Sequence, residues 1–266
     1  MKIAICIKQV PDTTDIKWTE HNTIQREGVE SILNPYDVYA IEAALKIKKE
    51  NNAELTAITM GPAQADEILR KAISVGIDNG YLISDKKFAG ADTYATGSTL
   101  SATIKKILPD FDIIICGQFA VDGDTAQTGP TVAGMLGIPQ ITYVKDIESI
   151  DEKTVTVIRE VEDGIEKITA ELPVLLCVLK KDDEPTRAKI NGIINAKKSE
   201  IKTLGIDDIG LSPENAGLKG SPTYVSKAFR PAQKHRNIAP TEASSESQVQ
   251  YLFNKLKELG ALDNNE

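Results

Sequence analysis

Four apolar stretches limit what this chain can fold into: Ile3 to Ile7, Leu55 to Met60, Tyr81-Leu82-Ile83 and Phe111-Asp112-Ile113-Ile114-Ile115-Cys116. A short run that is apolar at nearly every position reads as a strand covered on both faces, the condition inside a parallel sheet flanked by helices. The intervals between these runs have helical spacing. Asn34 is placed to cap a helix and Pro35 to open it, with Val38, Ile41 and Leu45 on one face. Ile68, Leu69, Ala72 and Ile73 mark a second helix stopped at Gly76, and Asp92-Thr93 opens a third bearing Leu100, Ile104 and Ile107. Strands alternating with helices of this length predict an α/β fold with a doubly wound, mostly parallel sheet.

The pattern changes after Pro139. Ile141 to Val144, Thr154 to Val161 and Ile165 to Ala170 read as strands joined by turns, the last through Glu162-Asp163-Gly164, and predict a small antiparallel extension of the sheet. Pro173 to Val178 is again apolar and returns to the main sheet. The segment from Glu184 to Ile194 sets Ile190, Ile193 and Ile194 in polar surroundings, either as a helix packed on the core or as an apolar knob for a partner. Residues 205–240 are rich in Gly, Pro, Ser and Lys and read as an extended arm. A final helix starts at Ser244 or Ser245, where Ser245 and Gln248 fit a capping box, and Val249, Leu252, Phe253, Leu256 and Leu259 form its stripe up to Gly260. The expected division is a domain over residues 1–204 and a C-terminal arm and helix over 205–266.

Net charge decides what such a chain does not bind. At −8 over 266 residues it lacks the clustered Lys and Arg that nucleic acid or an anionic membrane surface requires. No apolar run approaches membrane-spanning length, and Met1-Lys2-Ile3-Ala4-Ile5-Cys6-Ile7 turns polar too soon for a signal peptide, so a cytoplasmic location is expected. Cys6, Cys116 and Cys177 each sit in an apolar run and read as reduced, buried thiols. His21 and His235 lie in polar and basic stretches and read as surface residues. No catalytic nucleophile, base or metal-ligand set is apparent.

The segment Gly117-Gln118-Phe119-Ala120-Val121-Asp122-Gly123-Asp124-Thr125-Ala126-Gln127-Thr128-Gly129-Pro130 follows the fourth strand and precedes the small-residue helix Thr131 to Leu136. A strand, a glycine-containing loop and a helix start form the place where open α/β sheets hold nucleotides, because the helix offers unpaired N–H groups and a positive dipole end. Thr125 and Thr128 add hydroxyls, and Gly117, Gly123 and Gly129 allow close approach. An ordinary βα loop shares these features, and spacing alone does not choose between the two. Neither the Gly-x-Gly-x-x-Gly fingerprint nor the Walker pattern is present, so hydroxyls and main-chain N–H groups would do the holding. Hard chemistry would then come from a cofactor.

Taken in order, the chain resembles the β subunit of electron-transfer flavoproteins over nearly its whole length. The segments that carry the resemblance are Cys6-Ile7-Lys8, Asn34-Pro35-Tyr36-Asp37, Met60-Gly61-Pro62-Ala63-Gln64 and Gly117 to Thr128. They continue with Arg159-Glu160-Val161-Glu162-Asp163-Gly164 leading to Leu172-Pro173-Val174, and then Glu184-Pro185 through Ala196-Lys197-Lys198. The resemblance implies a heterodimer with an α subunit that the arm embraces. It also implies an adenine nucleotide surrounded by Cys6, Asn34, Pro35, Tyr36, Asp37, Met60 and the loop residues Gly117, Gln118, Asp122, Gly123, Asp124, Thr125, Ala126, Gln127 and Thr128. Residues 184–196 match a recognition loop that docks on a flavin dehydrogenase, with Glu184, Pro185, Arg187, Ile190, Ile193 and Ile194 in the contact and Ile190 as the anchor.

Within the family, the loop form Asp122-Gly123-Asp124-Thr125-Ala126-Gln127-Thr128-Gly129-Pro130 resembles the electron-bifurcating branch. There the site holds FAD, NADH is the donor, and the acceptors are ferredoxin and, through the α-subunit FAD, a dehydrogenase. That dehydrogenase is expected to be of acyl-CoA type, with a lactate-type flavoenzyme as the competitor. Gly123 and Ala126 leave room for a flavin, and Asp92-Thr93-Tyr94-Ala95-Thr96 also resembles that branch. The alternatives are an electron carrier with AMP in the same site and a stand-alone nucleotide-binding regulatory protein. The arm and the isoleucine loop argue against the second.

Overall fold

The computed structural model describes residues 1–12, 31–226 and 244–260. His21, His235 and the polar stretch from Trp18 to Arg26 lie outside them. Two units divide the chain, Met1–Ala228 and Phe229–Glu266.

In the first unit β1 (Lys2–Cys6) leads to a two-stranded antiparallel ribbon of β2 (Gln9–Pro11) and β3 (Ser31–Leu33). Then α1 (Pro35–Asn51), β4 (Glu54–Met60), α2 (Asp66–Val75), β5 (Asn79–Ile83), α3 (Thr93–Ile107) and β6 (Ile113–Gly117) alternate as the sequence predicts. After α4 (Thr128–Leu136) come β7 (Gln140–Ile150), β8 (Thr154–Val161), β9 (Gly164–Glu171) and β10 (Val174–Val178). The unit continues with α5 (Ile190–Lys198), β11 (Lys202–Leu204) and the short α6 (Gly217–Gly220). The nine-stranded sheet has the order β11-β5-β4-β1-β6-β10-β7-β8-β9. Pairing is parallel from β11 to β7 and antiparallel through β7, β8 and β9, so the expected extension and the return of β10 are both present.

The apolar strands read as they do because both faces are covered. Along β1, Ile3 and Ile5 enter the core under α1 and α2, whereas Ala4 and Cys6 enter a second core under α3 and α4. Full burial of each isoleucine contributes roughly 1.5–3 kcal/mol.

Three local expectations are corrected. Asn34 stands at the N-cap of α1 but makes no capping hydrogen bond, because its amide is engaged elsewhere. Residues 205–220, expected in the arm, belong to the first unit: Ile206, Ile209 and Ala216 are buried in the α3/α4 core. The segment lacks periodicity because single side chains enter the core from irregular backbone. In the second unit, α7 (Ser245–Glu258) is capped by Ser244, whose hydroxyl accepts from the Ser247 N–H, one residue earlier than the Ser245–Gln248 box. Within that unit the stripe residues Val249, Leu252, Phe253 and Leu259 are exposed.

Candidate functional site

The chain leaves β1 toward β4 on one side and adds β6 on the other, so the winding reverses between β1 and β6. Such a reversal opens a crevice beyond the carboxyl ends of the two strands, the preferred ligand position in open α/β sheets. Cys6 and Gly117 end the two strands, and Met60 ends the neighbouring β4. The expected site residues from three separate segments therefore converge on one edge.

The first turn of α1 ties this edge together. The Asp37 carboxylate is buried and accepts the Lys8 N–H at 2.7 Å and the Gly117 N–H at 3.1 Å, one from each side of the crevice. Gly117 must lack a side chain: a Cβ there would overlap the Asp37 carboxylate and lie 2.7 Å from the Tyr36 Cβ. Asn34, also buried, donates from Nδ2 to the Phe119 carbonyl at 2.7 Å and accepts the Val121 N–H at 3.3 Å. Asn34 and Asp37 thus direct their polar atoms at the protein and shape the loop. Burial pushes the Asp37 carboxyl up to about 7, although the Lys8, Asn34 and Gly117 hydrogen bonds pull it down.

Beyond Gly117 the loop is held through Gln118 and Tyr36, both in the expected set, and through Lys8, Phe119 and Tyr143, which are not. Gln118 is buried, and its Oε1 accepts the Tyr143 N–H at 2.6 Å, where Tyr143 adopts φ +57°. The Phe119 ring packs edge-on between Tyr36 at 5.3 Å and Tyr143 at 6.0 Å. Lys8 Nζ pairs with Asp122 at 2.7 Å. Lys8 is quoted in the first family segment, whereas nothing in the sequence marks Tyr143, which reaches the loop only through the β10–β7 pairing. Asp124 and Ala126 both take positive φ, at +48° and +54°. Thr93 Oγ1 meets Gln127 Oε1 at 3.1 Å, which brings the start of α3 beside the loop.

The first turn of α4 has no side-chain cap, and Gln127 instead accepts Thr131 through its main-chain carbonyl. Thr125 is exposed and Thr128 half-buried. A Cβ added at Gly123 would meet nothing within 4 Å, so the fold does not require glycine there. These features fit a phosphate-bearing group held by N–H and hydroxyl donors with open space beside it. The cavities of about 210 Å³ under residues 181–185 and about 340 Å³ beside α3, Met135, Leu211 and Asn215 do not include the crevice residues, and topology locates the crevice.

Reactive side chains are not supplied here. Cys6, Cys116 and Cys177 stand in register on β1, β6 and β10 as free, buried thiols, with 3.9 Å between the last two sulfurs. Burial, helped by the Asp37 charge, pushes the Cys6 thiol up to about 12, and a hydrogen bond to Cys177 with burial raises Cys116. Such thiols are poor nucleophiles. Among the described residues no group of His, Cys, Asp and Glu is arranged to hold a metal ion, and no helix is long and apolar enough to cross a membrane.

Residues 21–209 match the electron transfer flavoprotein domain. The chain belongs to the electron transfer flavoprotein family. It is 45% identical over 260 residues to the caffeyl-CoA reductase-Etf complex subunit CarD of Acetobacterium woodii, covering 97% of this chain and 98% of that one. The electron transfer flavoprotein subunit beta of Megasphaera elsdenii is 45% identical over 241 residues, 88% of this chain and 89% of its own. The acryloyl-CoA reductase electron transfer subunit gamma of Anaerotignum propionicum is 40% identical over 263 residues, 96% and 98%.

In this electron transfer flavoprotein chain the segment with the expected partner residues is fastened to α1 and α2. The helix expected in the isoleucine segment is present and rests on α2, with Ala196 buried, but the isoleucines are not core: Ile190 is 77% exposed, Ile193 43% and Ile194 47%. Glu184 and Arg187 are exposed and pair with each other at 3.1 Å, and Pro185 lines the smaller cavity.

Proposed function

We propose that this chain is the β subunit of an electron-bifurcating electron transfer flavoprotein. In this reading FAD is seated in the β1–β6 crevice, NADH is the donor, and ferredoxin and a flavin dehydrogenase are the acceptors. When bound, FAD supplies hydride acceptance and single-electron transfer. The protein supplies the rest. The first turn of α4, with Thr125 and Thr128, offers donors to a diphosphate, and the space at Gly123 accommodates the group beyond it. Asn34 and Asp37 hold the loop backbone so that those donors are already oriented. No side chain is assigned as acid or base.

The observation that carries the reading is an uncapped helix start beside an unfilled glycine, at the switch point of a chain in this family. The names of two relatives as subunits for caffeyl-CoA and acryloyl-CoA reduction support an acyl-CoA dehydrogenase as the partner type. The exposed isoleucines of α5 suit docking on it, and residues 205–266 are proposed to contribute to binding the α subunit. The test is to purify the heterodimer and count flavins. Two FAD per heterodimer, with flavin absorbance bleached by NADH, is expected. One FAD with stoichiometric AMP released on denaturation would replace this reading with a simple electron carrier.

A further inference from the structure

The segment from Asp183 to Ser199 is fastened at both ends while its apolar side chains face outward. At its start, the Tyr39 hydroxyl of α1 donates to the Asp183 carbonyl at 2.9 Å. One turn along, the Glu42 carboxylate accepts twice from Thr186, its N–H at 2.8 Å and its hydroxyl at 2.8 Å. At the other end Arg70 of α2, oriented by Asp66 at 2.7 Å, donates to the Ala196 carbonyl at 2.6 Å and to that of Ser199 at 3.3 Å, satisfying the last carbonyls of α5. Gly192 lies so close to the Ser74 carbonyl that no side chain fits between the helices.

Burial of isoleucines does not account for this anchorage, because Ile190, Ile193 and Ile194 are exposed. Nor would a nine-residue helix hold its shape in water unaided. Fixed backbone displaying apolar side chains is a preorganised contact surface, whose ordering entropy is settled before association. The paired bonds to Thr186 are charge-assisted and set the backbone immediately after Pro185, four residues before Ile190.

We propose that Glu42, assisted by Tyr39, is a positioning residue for partner recognition: by gripping Thr186 it holds residues 184–190 in their docking conformation. The inference rests on reading 184–194 as the surface for the flavin dehydrogenase. It gives α1 two duties, with Asn34 and Asp37 holding the cofactor loop and Tyr39 and Glu42 holding the partner segment.

The test uses the purified heterodimer carrying Glu42→Ala, Glu42→Gln or Ile190→Ala. Its readouts are flavin content, KM and kcat for electron exchange with a purified short-chain acyl-CoA dehydrogenase, and tryptic cleavage after Arg187 and Lys189. Glu42→Ala should raise KM about tenfold, leave kcat and flavin content unchanged and speed cleavage. Glu42→Gln, which keeps an acceptor for the Thr186 N–H, should recover most of the KM. Wild-type KM in Glu42→Ala alongside a raised KM in Ile190→Ala would overturn the positioning role and leave the surface standing. Wild-type KM in Ile190→Ala would remove the surface, and the proposal with it. Flavin loss in Glu42→Ala would make the residue a general structural one and also overturn the proposal.

Discussion

Two segments leave the carboxyl edge of the same sheet, and they are held in opposite ways. The loop after β6 is tethered by buried polar groups, with Asn34 1%, Asp37 4% and Gln118 3% exposed. The segment after β10 is tethered by side chains at the surface, including Tyr39, Glu42 and Arg70. A buried hydrogen-bonding group left without its partner costs more than one that water reaches. The first arrangement therefore gives a single rigid geometry, which suits the proposed cofactor seat. The second fixes a surface segment through bonds that lie closer to solvent.

Gly117→Ala should break the comparison most severely. Its Cβ meets backbone and a buried carboxylate that have no room to yield, and a loss of about 1–3 kcal/mol, seen as a lower melting temperature, is expected. Asn34→Ala comes next. It strands the Phe119 carbonyl and the Val121 N–H and should cost about 1–3 kcal/mol, with flavin retained less well through gel filtration. Retention equal to wild type would show that the loop holds its shape unaided.

Asp37 sharpens the same contrast through pH. Its carboxyl is raised in the folded protein to about 7, so the folded state binds the proton more tightly than the unfolded chain does. That contribution is fully present below the ordinary carboxylate range and is lost as pH rises toward about 7. The melting-temperature gap between wild type and Asp37→Asn should therefore be larger at pH 5 than at pH 8, and a gap independent of pH would contradict the assignment. Gly123→Asp should have the smallest effect on stability, within about 0.5 kcal/mol, because its Cβ points into open space. Flavin occupancy of the crevice should nevertheless fall. Unchanged occupancy would mean that Gly123 does not face the cofactor.

Much of the architecture was readable in the chain. Parallel strands buried on both faces are apolar at successive positions, and helices packed on one side show a 3.6-residue period, so β1, β4, β6 and β10 and the helices α1 to α3 announce themselves. The ordered family segments likewise led to the crevice. Local signals failed where a distant partner outcompeted a near one. Asn34 has the residue type and place of a cap, but tertiary packing brings Phe119 and Val121 to its amide, and those bonds replace the cap. Irregular backbone hid the burial of Ile206 and Ile209, since isolated side chains entering a core leave no period to read.

The composition and order of the apolar runs determined the doubly wound sheet, because which residues can be buried is a property of the residues themselves. Whether Ile190 was core or display, and which groups hold the two edge segments, was decided only in three dimensions. Those answers depend on what α1 and α2 place opposite each segment, and a Glu42 that meets Thr186 across 144 positions has no signature in either neighbourhood of the chain.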